Sequence, residues 1–467
     1  MASTAIIWFR RDLRIHDHPA LAAAVAAHDH VLPLFVVDDR LVAGRLEGRA
    51  RTSFMVASLR ELEAQLTARG GQLCVRSGRP EEVVPQLAQS TAAQAVYWTS
   101  DVSPFALRRD AAVTTALSQA GIAVHPQPGN FCADISLPRT GAGGPYTVFT
   151  PFWKAWERLE RRRLVKAPSR ISVPAGIDGD ALPAVPALTE IVGQPFCEPG
   201  ETAARRATDA WLREGVGRYG DEHNTLSGGS SGLSPYLRWG CLSPRELESR
   251  ARAEGSEGAA AFVRQLAWRD FYAHVLLFHP DTLRREYQER YRELEWSDDA
   301  ELLAAWQQGQ TGYPVVDAGM RQLAATGWMH NRARMIVGSF LTKDLHLDWR
   351  HGERWFGRLL LDGEPAQNTG NWQWIASTGV DPAPYFRRIF NPVLQQQKFD
   401  PRGDYVRRWV PELAAVPLDR LAEPWTMSSD EQQQAGCVIG RDYPQPIVDH
   451  QIERRVAIER YRAVTGD

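Results

Sequence analysis

Between residues 4 and 126 short apolar runs alternate with longer segments whose apolar residues recur at helical spacing. The runs are AIIWF (5–9), VLPLFVV (31–37), QLCV (72–75) and QAVYW (94–98), and the helix-like segments include 50–69 and 104–120. A continuous apolar run suits a strand buried on both faces, and a helix between two such runs is the usual connection of parallel strands. The pattern predicts an α/β domain over 1–130, a Rossmann-like parallel sheet covered by helices.

Residues 131–200 read differently. Pro and Gly punctuate them in PRTGAGGP, PAVPAL and GQPFCEPG, and one amphipathic segment, FWKAWERLERRRLVK, interrupts them. This is the signature of an interdomain linker with a helix in its middle. From 201 to 467 the strand-like runs vanish, and helical periodicity recurs at 202–215, 243–253, 257–277, 299–308, 314–326, 330–343 and 353–360. The second domain is predicted to be all helical. No internal repeat or low-complexity tract is present.

At 467 residues, with 43% apolar and 24% charged side chains, the chain has the balance of a folded, soluble protein of about two domains. A formal net charge of -2 argues against a wholesale polycation, yet 54 Lys and Arg residues leave room for a local basic surface. The cysteines at 74, 132, 197, 241 and 437 form no C-x-x-C pair, and the pairs His16/His18 and His28/His30 lack further ligands at suitable spacing. Neither a disulfide framework nor a metal site is expected, and a reducing cytoplasm fits. The start, MASTAIIWFRRDLR, lacks the pattern of a signal peptide, and no stretch approaches the roughly 20 apolar residues of a membrane helix. A cytoplasmic monomer without a membrane partner is the expectation.

Two features narrow the chemistry. After the first strand, where a dinucleotide fold places a Gly-rich turn, this chain has RRDLRIHD, so NAD is not held there in the usual manner. Of 16 tryptophans only Trp8 and Trp98 fall in the α/β domain. Several of the others sit among hydrogen-bonding residues, as in RQLAWRDFY, TGWMHNRARM, HLDWRHGE and TGNWQW. Aromatic faces mixed with such groups suit a planar polar ligand, a flavin or an extruded base.

The motifs WFRRDLRIHDHPAL (8–21), SSGLSPYLRWGCLSPREL (230–247), WRDFY (268–272), GQTGYPVVDAGMRQL (309–323), GWMHNRARM (327–335), LLDGEPAQNTGNWQW (360–374), FNPVLQQQKFD (390–400) and YPQPIVDH (443–450) resemble the photolyase/cryptochrome family, and within it the class I cyclobutane pyrimidine dimer photolyases. The resemblance implies an N-terminal antenna domain and a C-terminal helical domain that binds FAD in a U-shaped conformation. It implies light-driven DNA repair, in which excited reduced FAD passes an electron to a flipped-out dimer and recovers it after the ring opens. The alternative it leaves is a cryptochrome-like blue-light receptor with weak or no repair activity.

By the same resemblance Ser230, Ser231, Leu233 and Ser234 form the loop around the FAD phosphates and ribityl chain. Tyr219, Arg269, Asn331, Arg334, Asp362, Glu364 and Asn368 match other flavin contacts; Arg334 and Asp362 form the ion pair beside the ring, and Asn368 faces N5. Glu364 stands where many relatives have Asp. Trp372 matches the flavin-proximal member of an electron-transfer chain, Trp349 the middle one and Trp296 its exposed end, with Trp306 competing for the exit. Trp268 and Trp374 match the walls of the lesion pocket, with Asn331, Arg332 and Met335 beside them. Arg387 is expected to meet DNA phosphates, with Lys398, Arg402, Arg407 and Arg408 near it in sequence. Gln265 occupies a position that is usually Glu in dimer photolyases; it keeps hydrogen bonding but cannot donate a carboxyl proton. For a second, antenna chromophore, Phe105 and Ala106 in DVSPFALRRD replace the Asn-Glu pair of folate binders. This favours 8-hydroxy-deazaflavin with Arg51 and Asp101 as contacts, over methenyltetrahydrofolate, another flavin or an empty site.

Overall fold

The computed structural model describes residues 2–42 and 48–466. The apolar runs form β1 (Thr4–Phe9), β2 (His30–Val37), β3 (Cys74–Ser77) and β4 (Ala95–Thr99), and a fifth strand, β5 (Ala123–Gln127), completes the sheet. All pairings are parallel, in the order β3-β2-β1-β4-β5. β1 is buried along its whole length, as a central strand covered on both faces requires. β5 escaped the hydrophobic pattern because none of its residues is fully buried and Pro126 lies in it, whereas the other edge strand, β3, buries Cys74 and Val75. Proline is tolerated on an edge where one row of N–H groups has no ladder to join.

In the connection the helix runs from Phe149 to Glu157 and stops earlier than the amphipathic pattern suggests. Arg161 ends it: the guanidinium donates to the carbonyls of Trp156 at 2.9 Å and Leu159 at 2.7 Å while holding Glu248.

The helical domain follows, and its interface with the α/β domain is continuous core. Phe54 of the first domain and Tyr236, Trp239, Phe262 and Phe271 of the second belong to one buried cluster. The RRDLRIHD segment brackets the two. Leu13 N donates to Trp239 O at 3.1 Å, Arg14 donates to Gly240 O and Gly129 O at 3.0 Å each, and Glu201 accepts from the amides of Ile15 and His16. His18 pairs with Asp12 at 3.0 Å and His16 with Glu201, while His28 and His30 meet Tyr97 and Ser172.

The predicted helix over 330–343 is α-helical from Asn331 to Ser339 and then widens to a π turn over Phe340–Asp344. A helix at Pro365–Ala376 has no counterpart in the apolar pattern, nor has the last one, His450–Thr465. Among the described residues no helix is long and apolar enough to cross a membrane.

Candidate functional site

The Pro365–Ala376 helix starts at Glu364, whose carboxylate caps it by accepting from Gln367 N at 3.0 Å, with Pro365 in the first turn. Successive positions differ by about 100° around a helix axis. Gln367, Asn371 and Trp374 line both a cavity of about 410 Å³ and a smaller neighbouring one of about 80 Å³, whereas Asn368, Trp372 and Ile375 line only the smaller. Trp372 and Trp374 thus share the smaller cavity, and of the two only Trp374 reaches the larger. Both cavities reach Asn331, Arg334, Met335 and Asp362.

Trp372 is 3% exposed. Its ring lies on the backbone of the Trp349–Leu359 helix at Gly352, where a Cβ would collide with it. Phe356, one turn on, meets it edge-on at 5.0 Å, and Trp306 does so at 6.2 Å.

The opposite wall of the larger cavity is the Glu257–Phe278 helix. Gln265, Trp268, Arg269 and Tyr272 share one face of it, at the i, i+3, i+4, i+7 spacing that puts residues on one side. Phe149 stacks on Trp268, centroids 3.7 Å apart and planes within 9°, which fixes the indole and leaves its other side to the site. Trp374 is fixed by different means: its Nε1 donates to Asp381 at 2.9 Å and the Arg388 guanidinium lies 4.2 Å over its ring.

The polar equipment is concentrated between these walls. Arg334 holds Asp362 through two bonds of 3.2 and 2.7 Å, and Asp362 accepts a third from Ser234 Oγ at 2.6 Å. Bidentate pairing of this kind fixes orientation as well as charge. Arg238 reaches the cavity with Nε bound to Gly363 O at 2.7 Å, while its buried Nη1 has no partner among the described residues. An unpartnered buried guanidinium N–H is costly unless an anion meets it. Asn368 donates its amide nitrogen to Glu353 O at 2.8 Å and Glu353 Oε1 at 2.9 Å, so its oxygen is left for the cavity. Burial raises the Glu353 carboxyl above its ordinary range, against the hydrogen bond from Asn368. Aromatic walls, an ion pair, an amide oxygen and a donor waiting for an anion fit a flavin with its phosphates.

Comparison with known proteins bears this out at the level of the whole chain. Residues 262–463 match the FAD binding domain of DNA photolyase, and residues 5–171 match DNA photolyase. A deoxyribodipyrimidine photo-lyase of Streptomyces griseus is 42% identical over 465 residues, covering 99% of this chain and 100% of that protein. The chain belongs to the DNA photolyase family. A bacterial class III photolyase from Agrobacterium tumefaciens superposes with a TM-score of 0.94 at 36% identity, covering 100% of this chain and 98% of that one. A Sulfolobus tokodaii photolyase, solved with two FAD molecules, superposes at 0.84 and 31% identity over 98% of this chain and 100% of that one.

Of the positions singled out in the photolyase sequence, Tyr219, Ser231, Ser234, Gln265, Trp268, Arg269, Asn331, Arg334, Met335, Asp362, Glu364 and Trp374 line the larger cavity, and Asn368 and Trp372 the smaller. The Arg269 guanidinium is turned to Asn130 O at 2.7 Å, so it also ties down the end of the α/β domain. Others lie elsewhere. Ser230 is exposed outside both cavities, and Leu233 is fully buried, so only its main chain could meet a ligand. Arg332 points away from the cavity, donating to Asn224 and lying 4.2 Å over Phe399. The exposed Arg387 sits on the Tyr385–Arg388 turn beyond Trp374. Lys398 lies over Phe399, Arg402 pairs with Asp404, Arg408 lies over Trp409, and Arg407 is spent on the carbonyls of Ala414 and Val416.

Trp349 is fully buried and Trp296 half-buried. Trp296 is tied to the Trp349 region by the Ser297–Leu347 bridge. Trp306 is fully buried, its Nε1 bound to Val337 O, and so cannot be an exit to solvent.

Arg51 and Asp101 meet the helical domain at the interdomain seam. Arg51 donates to Gly357 O at 2.6 Å. Asp101 pairs with Arg11, which also pairs with Glu364, at 3.3 Å each. Burial alone would raise the Asp101 carboxyl, but Arg11 and the loop amides hold it well below the usual carboxylate range. Glu364 is thus shared between the helix cap, the cavity and the α/β domain. Phe149 and Glu353 lie in none of the motifs, and Arg238, though within SSGLSPYLRWGCLSPREL, has no role implied there; each is recognisable only once its partner is in place.

Proposed function

We propose that this photolyase splits cyclobutane pyrimidine dimers in the larger cavity, with Trp268, Trp374 and Gln265 receiving the lesion and Asn368, Arg334 and Asp362 holding the flavin. The observation that supports it most is that both lesion walls line one cavity with the ion pair, and that Trp374 and the ion pair also line the smaller cavity with Trp372. Bound reduced FAD supplies one electron on excitation and recovers it after the ring opens. All else falls to the chain.

A dimer must leave the duplex to reach the cavity, at a cost of a few kcal/mol that a damaged step lowers. Stacking on Trp268 and Trp374, at about 1–3 kcal/mol per base, offsets it. Trp268 is held flat by Phe149, so little is lost to ordering when the lesion arrives. Gln265 is exposed to the cavity with no partner of its own among the described residues; its amide hydrogen-bonds a pyrimidine edge without lending a proton. The fixed Asn368 oxygen would accept a hydrogen bond from a proton-bearing flavin nitrogen, N5. Ser231 and the free Nη1 of Arg238 offer donors to the phosphates.

The DNA backbone is met by Arg387, and an 8-hydroxy-deazaflavin antenna lies at the seam of Arg51 and Asp101. The seam adjoins the carboxyl ends of β1 and β4, where the strand order reverses and α/β domains take their ligands. The Sulfolobus tokodaii protein, whose second FAD implied a novel light-harvesting cofactor, makes a second flavin the competing occupant. The absorption spectrum of chromophore released from purified protein separates them. The protein acts as a cytoplasmic monomer.

The test of the whole reading is illumination of chemically reduced protein with an oligonucleotide carrying one dimer. Loss of the dimer in light and not in the dark is expected. A light-dependent flavin change without dimer loss would leave a blue-light receptor instead.

A further inference from the structure

Glu286 is a buried carboxylate, 5% exposed, that none of the roles above uses. Its Oε1 accepts from Trp349 Nε1 at 3.1 Å and its Oε2 from Arg350 Nη2 at 2.9 Å. The guanidinium of Arg350 lies 4.6 Å over the Trp349 ring and is shared with Asp348, 3.2 Å from each oxygen. Trp306 packs beside Trp372, yet its Nε1 donates only to the neutral Val337 carbonyl, at 3.0 Å.

Two tryptophans thus stand near Trp372 with different charges at their ring nitrogens. Trp306 touches it edge-on, and Trp349 lies one turn along the helix on whose Gly352 the Trp372 ring rests. An indole that loses an electron becomes a cation, and its N–H becomes a stronger donor. A carboxylate at hydrogen-bond distance stabilises that cation far more than a peptide carbonyl does, most of all in a buried setting of low dielectric. Arg350 over the ring opposes the effect, but much of its charge is engaged by the two carboxylates.

We propose that Glu286 directs the oxidising equivalent that leaves Trp372 to Trp349 and away from Trp306. The inference rests on the reading of Trp372 as the tryptophan beside the flavin. In the step, Trp349 gives one electron to oxidised Trp372. Trp372 returns to its neutral form and the positive charge comes to rest on Trp349. No covalent bond breaks, and the Nε1 proton stays on the indole, donated to Glu286. Glu286 is a positioning residue for charge, and it touches neither cofactor nor substrate. The Ser297–Leu347 bridge holds the segment of Trp296 beside the turn that leads into Trp349.

The holoenzyme with oxidised FAD is excited by a short flash, and the oxidised-tryptophan absorbance and the fraction of flavin left reduced are followed in time. In Glu286→Gln the indole keeps a hydrogen-bond acceptor of the same shape but loses the charge. The expected result is faster return to the dark state and about tenfold less reduced flavin per flash. Arg350→Gln removes the opposing charge, so the return slows. A role in packing alone would move both variants the same way. Decay and yield in Glu286→Gln equal to the parent, or changes of one sign in both variants, overturn the proposal. Dimer splitting by the same proteins after chemical reduction reads the repair function separately. It is expected to be unchanged in both variants, and its absence from the parent would count against the repair reading instead.

Discussion

Asn368 turns its amide nitrogen onto Glu353, 2.8 Å from the main-chain oxygen and 2.9 Å from the carboxylate. Both partners are acceptors, so the nitrogen must face them, and the amide oxygen is committed to the cavity before any ligand arrives. An acceptor in that place favours flavin forms that carry a proton there. Asn368→Leu is expected to retain FAD, because Arg334, Asp362 and Ser234 remain, but to lose about 1 kcal/mol of this preference. The check is the rate of air reoxidation of the reduced holoenzyme, which should rise several-fold.

Phe149 gives a second expectation. Trp268 can serve as a flat wall only while something holds its far face, and the parallel stack at 3.7 Å does so. Arg264, one helical turn before Trp268, lies 5.4 Å over the same phenyl ring. Phe149→Ala frees the indole to tilt, and dimer affinity should fall by about 0.5–1.5 kcal/mol, the worth of an aromatic pair. Affinity for undamaged DNA should stay as it was, since the wall meets only an extruded base. Binding curves for the two oligonucleotides give the comparison.

The α/β domain was legible because its strands are buried on both faces and write that fact as apolar runs. β5 was not, because, unlike the other edge strand β3, it buries no residue fully. The Pro365–Ala376 helix hid for a related reason: much of what it presents to the cavities is Gln367, Asn368 and Asn371, which a ligand needs and a core does not. At the site, helical phase decided what the motifs could not. Asn331, Arg334 and Met335 sit at i, i+3 and i+4 and face the cavity, whereas Arg332, about 100° off that face, turns to Asn224. The partnerships of Phe149 with Trp268 and Glu353 with Asn368 join separate elements. No local pattern could announce them.

Gln265 sets a third expectation, for pH. A carboxyl in its place could protonate and lend that proton to the reduced pyrimidine, giving a yield that rises on the acid side. An amide cannot. Asp362 and Glu364, the carboxylates lining the same cavity, are held in ion pairs with Arg334 and Arg11. The repair yield of the parent should be flat across the range in which a lesion-pocket carboxyl would titrate. Gln265→Glu should introduce a rise toward low pH, because the bound dimer buries the new carboxyl and raises its pKa. Quantum yields at saturating dimer over a pH series decide it.

Asp270 sets the last expectation, for stability. Its Oδ2 accepts from Cys132 N at 3.0 Å, Ala133 N at 3.4 Å and Trp156 Nε1 at 3.0 Å, pinning the linker to the helix that carries Trp268. Its Oδ1 has no hydrogen-bond partner among the described residues, with Arg269 at 3.8 Å. Burial pushes the carboxyl up to about 6, against the pull of Arg269 and the three donors. The folded state therefore binds this proton more tightly than the unfolded chain does. The contribution is whole below the unfolded value of about 4 and is lost as pH climbs through about 6, to the extent of about 3 kcal/mol. Asp270→Asn keeps an acceptor for the three donors and does not ionise. Thermal midpoints of the parent minus those of the variant should decline between about pH 4 and pH 6 and level off above about pH 7. A difference that grew with pH would mean that the ionised carboxylate is the form the fold prefers, with Arg269 outweighing burial.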